Sequence, residues 1–209
     1  MNKLSITLIT LIALVTLPLA ACQEREVPQV QPQASTPAVQ TQPAPATGNA
    51  GGTEIAPQQA IARLAPTQGN ETTGTVTFTR QADGVEVVAE IQGLPPGGRH
   101  GFHVHETGDC SAPDATSAGG HFNPQGTPHG APDNPLDQRH AGDLGNIEAG
   151  PDGTAQYRRV DPGLQLDGPQ SIVGKAVLVH ANPDDFTSQP AGEAGARLAC
   201  GVIEVEQGQ

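Results

Sequence analysis

Gly101-Phe102-His103-Val104-His105-Glu106 alternates apolar and polar side chains with the period of a half-buried strand, so both imidazoles leave the same face. It lies in the strand-like run His100 to Glu106, and seven other runs carry alternation or β-branched enrichment: Ala60 to Leu64, Gly74 to Arg80, Val85 to Ile91, Gly142 to Ile147, Thr154 to Arg159, Ser171 to His180 and Ala199 to Val205. Turn chemistry separates them at Asn70, Ala82-Asp83-Gly84, Pro95-Pro96-Gly97-Gly98 and Pro151-Asp152-Gly153. Long amphipathic helical patterns are absent, aromatics are 2% of the chain, and Gly (26) and Pro (20) are abundant. The class that follows is all-β, a sandwich or barrel of eight antiparallel strands. Two connections, Thr107 to Ala141 and Ala181 to Leu198, exceed ordinary loop length, and long ordered loops are usually functional.

Residues 1–21 have the features of an export signal. Lys3 is the positive region, Leu4 to Leu17 the apolar region, and Leu19-Ala20-Ala21 a small-residue cleavage stretch ending at Cys22. Leu-Ala-Ala-Cys resembles the bacterial lipobox, in which the cysteine is acylated; the alternative is an ordinary signal peptide with a leftover thiol. The apolar run is shorter than the roughly 18 residues of a spanning helix. The expected address is therefore lipid-anchored on a bacterial membrane. Gln23 after the cysteine favours the outer membrane, facing the periplasm, in a Gram-negative cell. Residues 22–52 are rich in Gln, Pro, Ala and Thr without apolar periodicity, a flexible tether from Cys22 that would span roughly 30 Å as a coil. Residues 53–209 are the size of one domain with a core.

With Cys22 acylated, Cys110 and Cys200 are the remaining cysteines, and in an exported, oxidising setting a single disulfide is the simplest inference; two free buried thiols are the alternative. The formal net charge is −12, and loss of Lys3 with the signal takes it to −13, which argues against a nucleic-acid partner.

Six of the seven histidines stand at spacings suited to two metals: His103, His105, His121, His129, His140 and His180, with Asp143 close behind His140. His121, His129, His140 and Asp143 would make a closed tetrahedral zinc sphere of three imidazoles and a carboxylate. Copper(II) tolerates a flattened arrangement of four imidazoles, which His103, His105, His180 and one shared histidine would complete. Six histidines then fill seven imidazole places, and one must bridge both metals through its two ring nitrogens.

The segments Gly101 to Glu106, Gly119-Gly120-His121-Phe122-Asn123-Pro124, Arg139-His140-Ala141-Gly142-Asp143-Leu144-Gly145-Asn146 and Gly195 to Ile203 closely resemble the signature segments of copper,zinc superoxide dismutases, in the same order. The similarity runs from about Ala60 to Val205. It implies an eight-stranded antiparallel Greek-key β-barrel, an immunoglobulin-like sandwich with two long functional loops. It also implies one copper and one zinc per chain, and conversion of superoxide to dioxygen and hydrogen peroxide. By matched position, His103, His105, His121 and His180 would ligate copper, and His121, His129, His140 and Asp143 zinc. His121 would be the bridge and the proton donor. Cys110 and Cys200 match the family's intrachain disulfide, and Arg197 the arginine that docks superoxide. Asp184 matches an aspartate that links ligands of the two metals, here His103 and His129. His100 matches a histidine that hydrogen-bonds within the scaffold. Glu193 departs from the asparagine common at its place, and Arg197 is the only cation between His180 and Cys200. Catalytically weak or inactive members of the same fold, serving zinc or copper handling, are the alternative function. The resemblance leaves monomer and homodimer both open.

Overall fold

Alternation and turn positions translate directly into strands. A computed structural model describes residues 56–206. These fold as β1 (Gln59–Pro66), β2 (Thr73–Gln81), β3 (Gly84–Gln92), β4 (Arg99–His105), β5 (Asp143–Glu148), β6 (Ala155–Asp161), β7 (Ala176–His180) and β8 (Arg197–Val205). The export signal, Cys22 and the tether lie outside the described residues.

All strand pairings are antiparallel, in the order β5-β4-β7-β8-β1-β2-β3-β6. Hairpins join neighbours such as β1, β2 and β3, while a short connection over residues 149–154 places β6 beside β3 and a longer one over residues 162–175 carries β7 to the side of β4, a Greek-key arrangement. The end strands meet where the Tyr157 hydroxyl donates to the Leu144 carbonyl at 2.8 Å, so the sheet is a nearly closed barrel. Burial holds that phenol well above its ordinary pKa and keeps it a donor. Among the described residues there is no α-helix, only a 3-10 turn at Thr116–Ala118 in the first long loop.

The run Ser171 to His180 is not one continuous strand. Lys175 N–H closes a turn on the Ile172 carbonyl at 3.0 Å, and Gly174 takes φ 78 there, which a side chain would resist. Strand β7 therefore begins at Ala176.

β1, β2 and β3 bury alternate residues, among them Ala62, Leu64, Val76, Phe78, Val87 and Ile91, against the barrel core. Each large apolar side chain of this kind contributes about 1.5–3 kcal/mol by leaving water. β4 and β7 behave differently, since β7 is buried at every position and β4 from His100 onward. Phe102, Val104, Val177 and Val179 enter the barrel core, and the opposite face of each strand is covered by the long loops. Period-two alternation thus places His103 and His105 on the loop side of β4, and His180 with Leu178 and Ala176 on the loop side of β7. Ala115 and Ala118 of the first long loop pack on Ala176, Leu178 and Cys200. The Cys110–Cys200 disulfide fastens that loop to β8 across 90 residues, worth on the order of 4 kcal/mol by chain-entropy arithmetic.

Candidate metal centre

A register shift between Gly101 and His103 in the β4–β5 pairing makes room beside β4 for a short additional stretch of chain. Phe122 N–H donates to the Val104 carbonyl at 2.8 Å and Glu106 N–H to the Gly120 carbonyl at 2.9 Å, which sets His121 opposite His105. A turn closed by Asp143 N–H on the His140 carbonyl brings His140 and Asp143 to the same place. The second long loop arrives over Gly101, where a β-carbon would sit 2.8 Å from that of Ala194; only glycine lets the loop approach.

The histidines and Asp143 fall into two four-donor groups: His103, His105, His121 and His180, and His121, His129, His140 and Asp143. All the residues in them are buried, the donor atoms of each group lie within 4.8 Å of one another, and His121 belongs to both.

Hydrogen bonds on the outer nitrogens decide what the inner ones can do. His105 Nδ1 donates to the Gly119 carbonyl at 2.9 Å, and His180 Nδ1 to the Gly195 carbonyl at 3.2 Å. With those protons committed, the two Nε2 atoms, 3.2 Å apart, confront each other as lone pairs. His103 Nε2 meets Asp184 Oδ2 at 2.8 Å, leaving a buried Nδ1 with no partner. His121 Nε2 is likewise buried and unpartnered. Four imidazole lone pairs aimed at one another and away from water fit a cation that prefers nitrogen.

In the other group the donors converge on one carboxylate. His121 Nδ1 lies 2.8 Å and His140 Nδ1 3.2 Å from Asp143 Oδ1, and His129 Nδ1 lies 3.1 Å from Asp143 Oδ2. His140 N–H and Gly130 N–H donate to the same Oδ2 at 2.9 and 3.1 Å and fix its orientation. Three imidazole nitrogens and one carboxylate oxygen suit a closed tetrahedral zinc site. His129 Nε2 meets Asp184 Oδ1 at 2.9 Å, so Asp184 spans the two groups with one oxygen on each.

The copper/zinc superoxide dismutase family matches the sequence over residues 72–203. The chain belongs to the copper/zinc superoxide dismutase family. A crystal structure of the clock protein EA4 is similar, at 41% identity and a TM-score of 0.65, covering 72% of this chain and 96% of that one.

Titration of the family's histidine cluster follows its surroundings. Burial, then the neighbouring His121 and His180, holds His105 well below the ordinary value. Burial with the charge of His103 brings His121 down to about 4 against the pull of Asp143, and His180 to about 3. These three are neutral at pH 7, the state a ligand needs. Burial opposes charge on His129, but its bonds to Asp143 and Asp184 prevail and raise it to about 9. Both carboxylates are burdened by burial, yet their histidine partners hold them well below the ordinary carboxylate range.

Arg197 stands opposite His180 in the β7–β8 register, after a shift at Val179/His180. Its Nη1 donates to the Ala115 carbonyl and its Nη2 to the Gly119 carbonyl, the latter at 2.6 Å. With His105, His121 and His180 it lines an open cavity of about 190 Å³.

Sequence reasoning missed several residues that hold the centre. Arg139, 1% exposed, forms a buried ion pair with Asp161 at 2.8 Å, and its Nη1 donates to the His140 carbonyl at 3.1 Å. The only signal for it was an arginine directly before His140. Asn146 exchanges two hydrogen bonds with the backbone of Asp184, at 2.7 and 2.9 Å. The Gln189 side chain clamps both backbone groups of His129, at 2.8 and 2.9 Å. His100, by contrast, was expected from the sequence to hydrogen-bond within the scaffold, and its Nδ1 donates to the His180 carbonyl at 2.9 Å.

Proposed function

We propose that the protein is a superoxide dismutase, converting two superoxide anions and two protons to dioxygen and hydrogen peroxide with one copper and one zinc per chain. The observation that carries this reading is His121, which presents one nitrogen to each donor group at a cavity also lined by Arg197. In this reading His103, His105, His121 and His180 would hold copper, and His121, His129, His140 and Asp143 zinc. When bound, copper would supply one-electron oxidation and reduction, and zinc a fixed positive charge beside His121.

The protein's own groups do the rest. Arg197, its guanidinium held by two carbonyls, docks the anion at the cavity. His121 takes a proton from solvent at Nε2 in the first half of the cycle and gives it to the departing peroxide in the second, the other proton of hydrogen peroxide coming from water. The carbonyls of Gly119 and Gly195 fix the tautomers of His105 and His180, and Asp184 fixes those of His103 and His129. His121→Ala is expected to keep part of its metal and lose rapid turnover. Arg197→Ala is expected to slow turnover at every salt concentration; unchanged turnover would remove Arg197 from docking.

A catalytically weak or inactive metal-handling member of the family is the rival reading, and the similarity to a protein named for a clock keeps it pertinent. It predicts protein loaded with both metals that does not dismute superoxide, so the same assay decides.

The same proposal places the mature protein outside the cytoplasm, acylated at Cys22 on a bacterial membrane, the outer membrane facing the periplasm in a Gram-negative cell. The Leu19-Ala20-Ala21-Cys22 stretch supports it, as does the Cys110–Cys200 disulfide, a bond that persists in oxidising compartments. Cys22→Ser is expected to leave the membrane fraction; retention there would refute the anchor.

A further inference from the structure

Resting on the zinc site of the dismutase reading, we propose that Arg159 is a positioning residue for zinc, a latch on β6 that keeps the segment from His129 to His140 closed and slows release of the ion. A histidine of the His121, His129, His140 and Asp143 group stands at each end of that segment. The ends abut, since a β-carbon at Gly130 would collide with the Gln138 carbonyl. Between them the chain turns back on itself, Asn134 N–H donating to the Ala131 carbonyl and Gln138 N–H to the Pro135 carbonyl, each at 2.9 Å. Among the described residues, 131–138 hydrogen-bond to the rest of the molecule only through Arg159.

The guanidinium spreads its fork over three acceptors: Nη1 donates to Asp133 Oδ1 at 2.8 Å, Nη2 to the Pro132 carbonyl, and Nε to Asp161 Oδ2 at 3.2 Å. Asp161 also pairs with Arg139, whose Nη1 donates to the His140 carbonyl, so β6 grips the segment behind His129 and again in front of His140. Packing agrees with this placement. A β-carbon at Gly145 would come within 2.8 Å of the Pro132 ring, and one at Gly163 within 2.9 Å of Leu136. None of the latching groups is a metal donor, so the latch forms with or without the ion. Gly130 N–H, just inside it, holds Asp143 Oδ2 at 3.1 Å. An unlatched segment leaves His129 and Asp143 assembled for a smaller fraction of the time, and the apparent zinc affinity falls by that fraction.

Zinc release from the loaded full chain would be timed by stopped-flow mixing with an excess of a chromogenic chelator. Arg159→Ala leaves Asp161 paired with Arg139 and with Gly163 N–H at 2.8 Å, so the buried ion pair persists. It is expected to release zinc about tenfold faster, the worth of one charge-assisted hydrogen bond. Arg159→Lys keeps the charge but reaches fewer acceptors, and its rate is expected to fall between the two. Asp133→Ala is expected to add nothing once Arg159 is alanine, because both act through one contact. Arg158→Ala removes an exposed pair with Glu86 from the same strand and is expected to match wild type. Release from Arg159→Ala at the wild-type rate would overturn the proposal.

A second arm needs no zinc: hydrogen exchange of the metal-free full chain, read by peptide mass spectrometry. Arg159→Ala is expected to exchange about tenfold faster at the amides of Gly130, Asn134 and Gln138, and at the wild-type rate in β1 and β8. Unchanged exchange in the segment, or equal acceleration of the whole barrel, would overturn the latch. If wild type itself takes up no zinc, the zinc site of the dismutase reading fails, and this arm alone decides whether Arg159 closes the segment.

Discussion

Asp184→Asn alters the carboxylate that is hydrogen-bonded to a histidine of each donor group. The aspartate accepts from His103 Nε2 at 2.8 Å and His129 Nε2 at 2.9 Å, and from Phe186 N–H at 2.7 Å. An asparagine keeps one acceptor oxygen and turns an NH₂ toward the other histidine. That histidine must then present a lone pair at Nε2 and carry its proton on Nδ1, the nitrogen that faces the metal group. For His129 the displaced proton points at Asp143, where zinc would lie. A lost charge-assisted bond of about 1.5–3 kcal/mol converts to a roughly 10–100-fold weaker metal affinity. The assay is competition of the copper-free protein against a chromogenic zinc chelator, with far-ultraviolet circular dichroism to show that the barrel is intact. Zinc affinity within twofold of wild type in a folded variant would refute the assignment of Asp184 as the link that fixes the ligand tautomers.

Asp161→Ala strands Arg139 in the core without its partner and is expected to cost about 3–5 kcal/mol, read as a lower chemical-denaturation midpoint. Stability unchanged by that substitution would show that the pair is not what holds His140. Reduction of the Cys110–Cys200 bridge should remove on the order of 4 kcal/mol. It should also slow turnover, because it frees the loop whose Ala115 and Gly119 carbonyls anchor Arg197; undiminished turnover in the reduced, metal-replete protein would contradict this.

Stability of the metal-free protein should peak near pH 6.5. Below it the unfolded chain binds protons that folded His105, His121 and His180 refuse, so stability is lost as pH falls through about 4 and 3. Above it the stability from protonated His129 is lost as pH rises through about 9. Urea melts across pH 4–9 would read the curve, and a flat profile would contradict it.

Much of this was legible because the information is local. Strand positions follow from period-two alternation and turn residues, and His103 with His105 on one face follows from the same period. The start of β7 was not legible, since Ile172 and Val173 have strand-like side chains while the turn is imposed by Gly174 and Lys175. The pairing of His121 with His105 depends on the register shift in β4–β5, which no single segment encodes. Arg139, Asn146 and Gln189 reach partners 22, 38 and 60 residues away. Each looks like an ordinary polar residue until the chain is folded.

In the proposed function one chain holds copper and zinc around His121 and turns over superoxide. Its most direct test is the dismutation rate of purified protein whose metal content has been measured in the same sample. One copper and one zinc per chain are expected, with catalytic dismutation that disappears when copper is withdrawn. Protein carrying both metals that leaves superoxide to decay at its uncatalysed rate would contradict it.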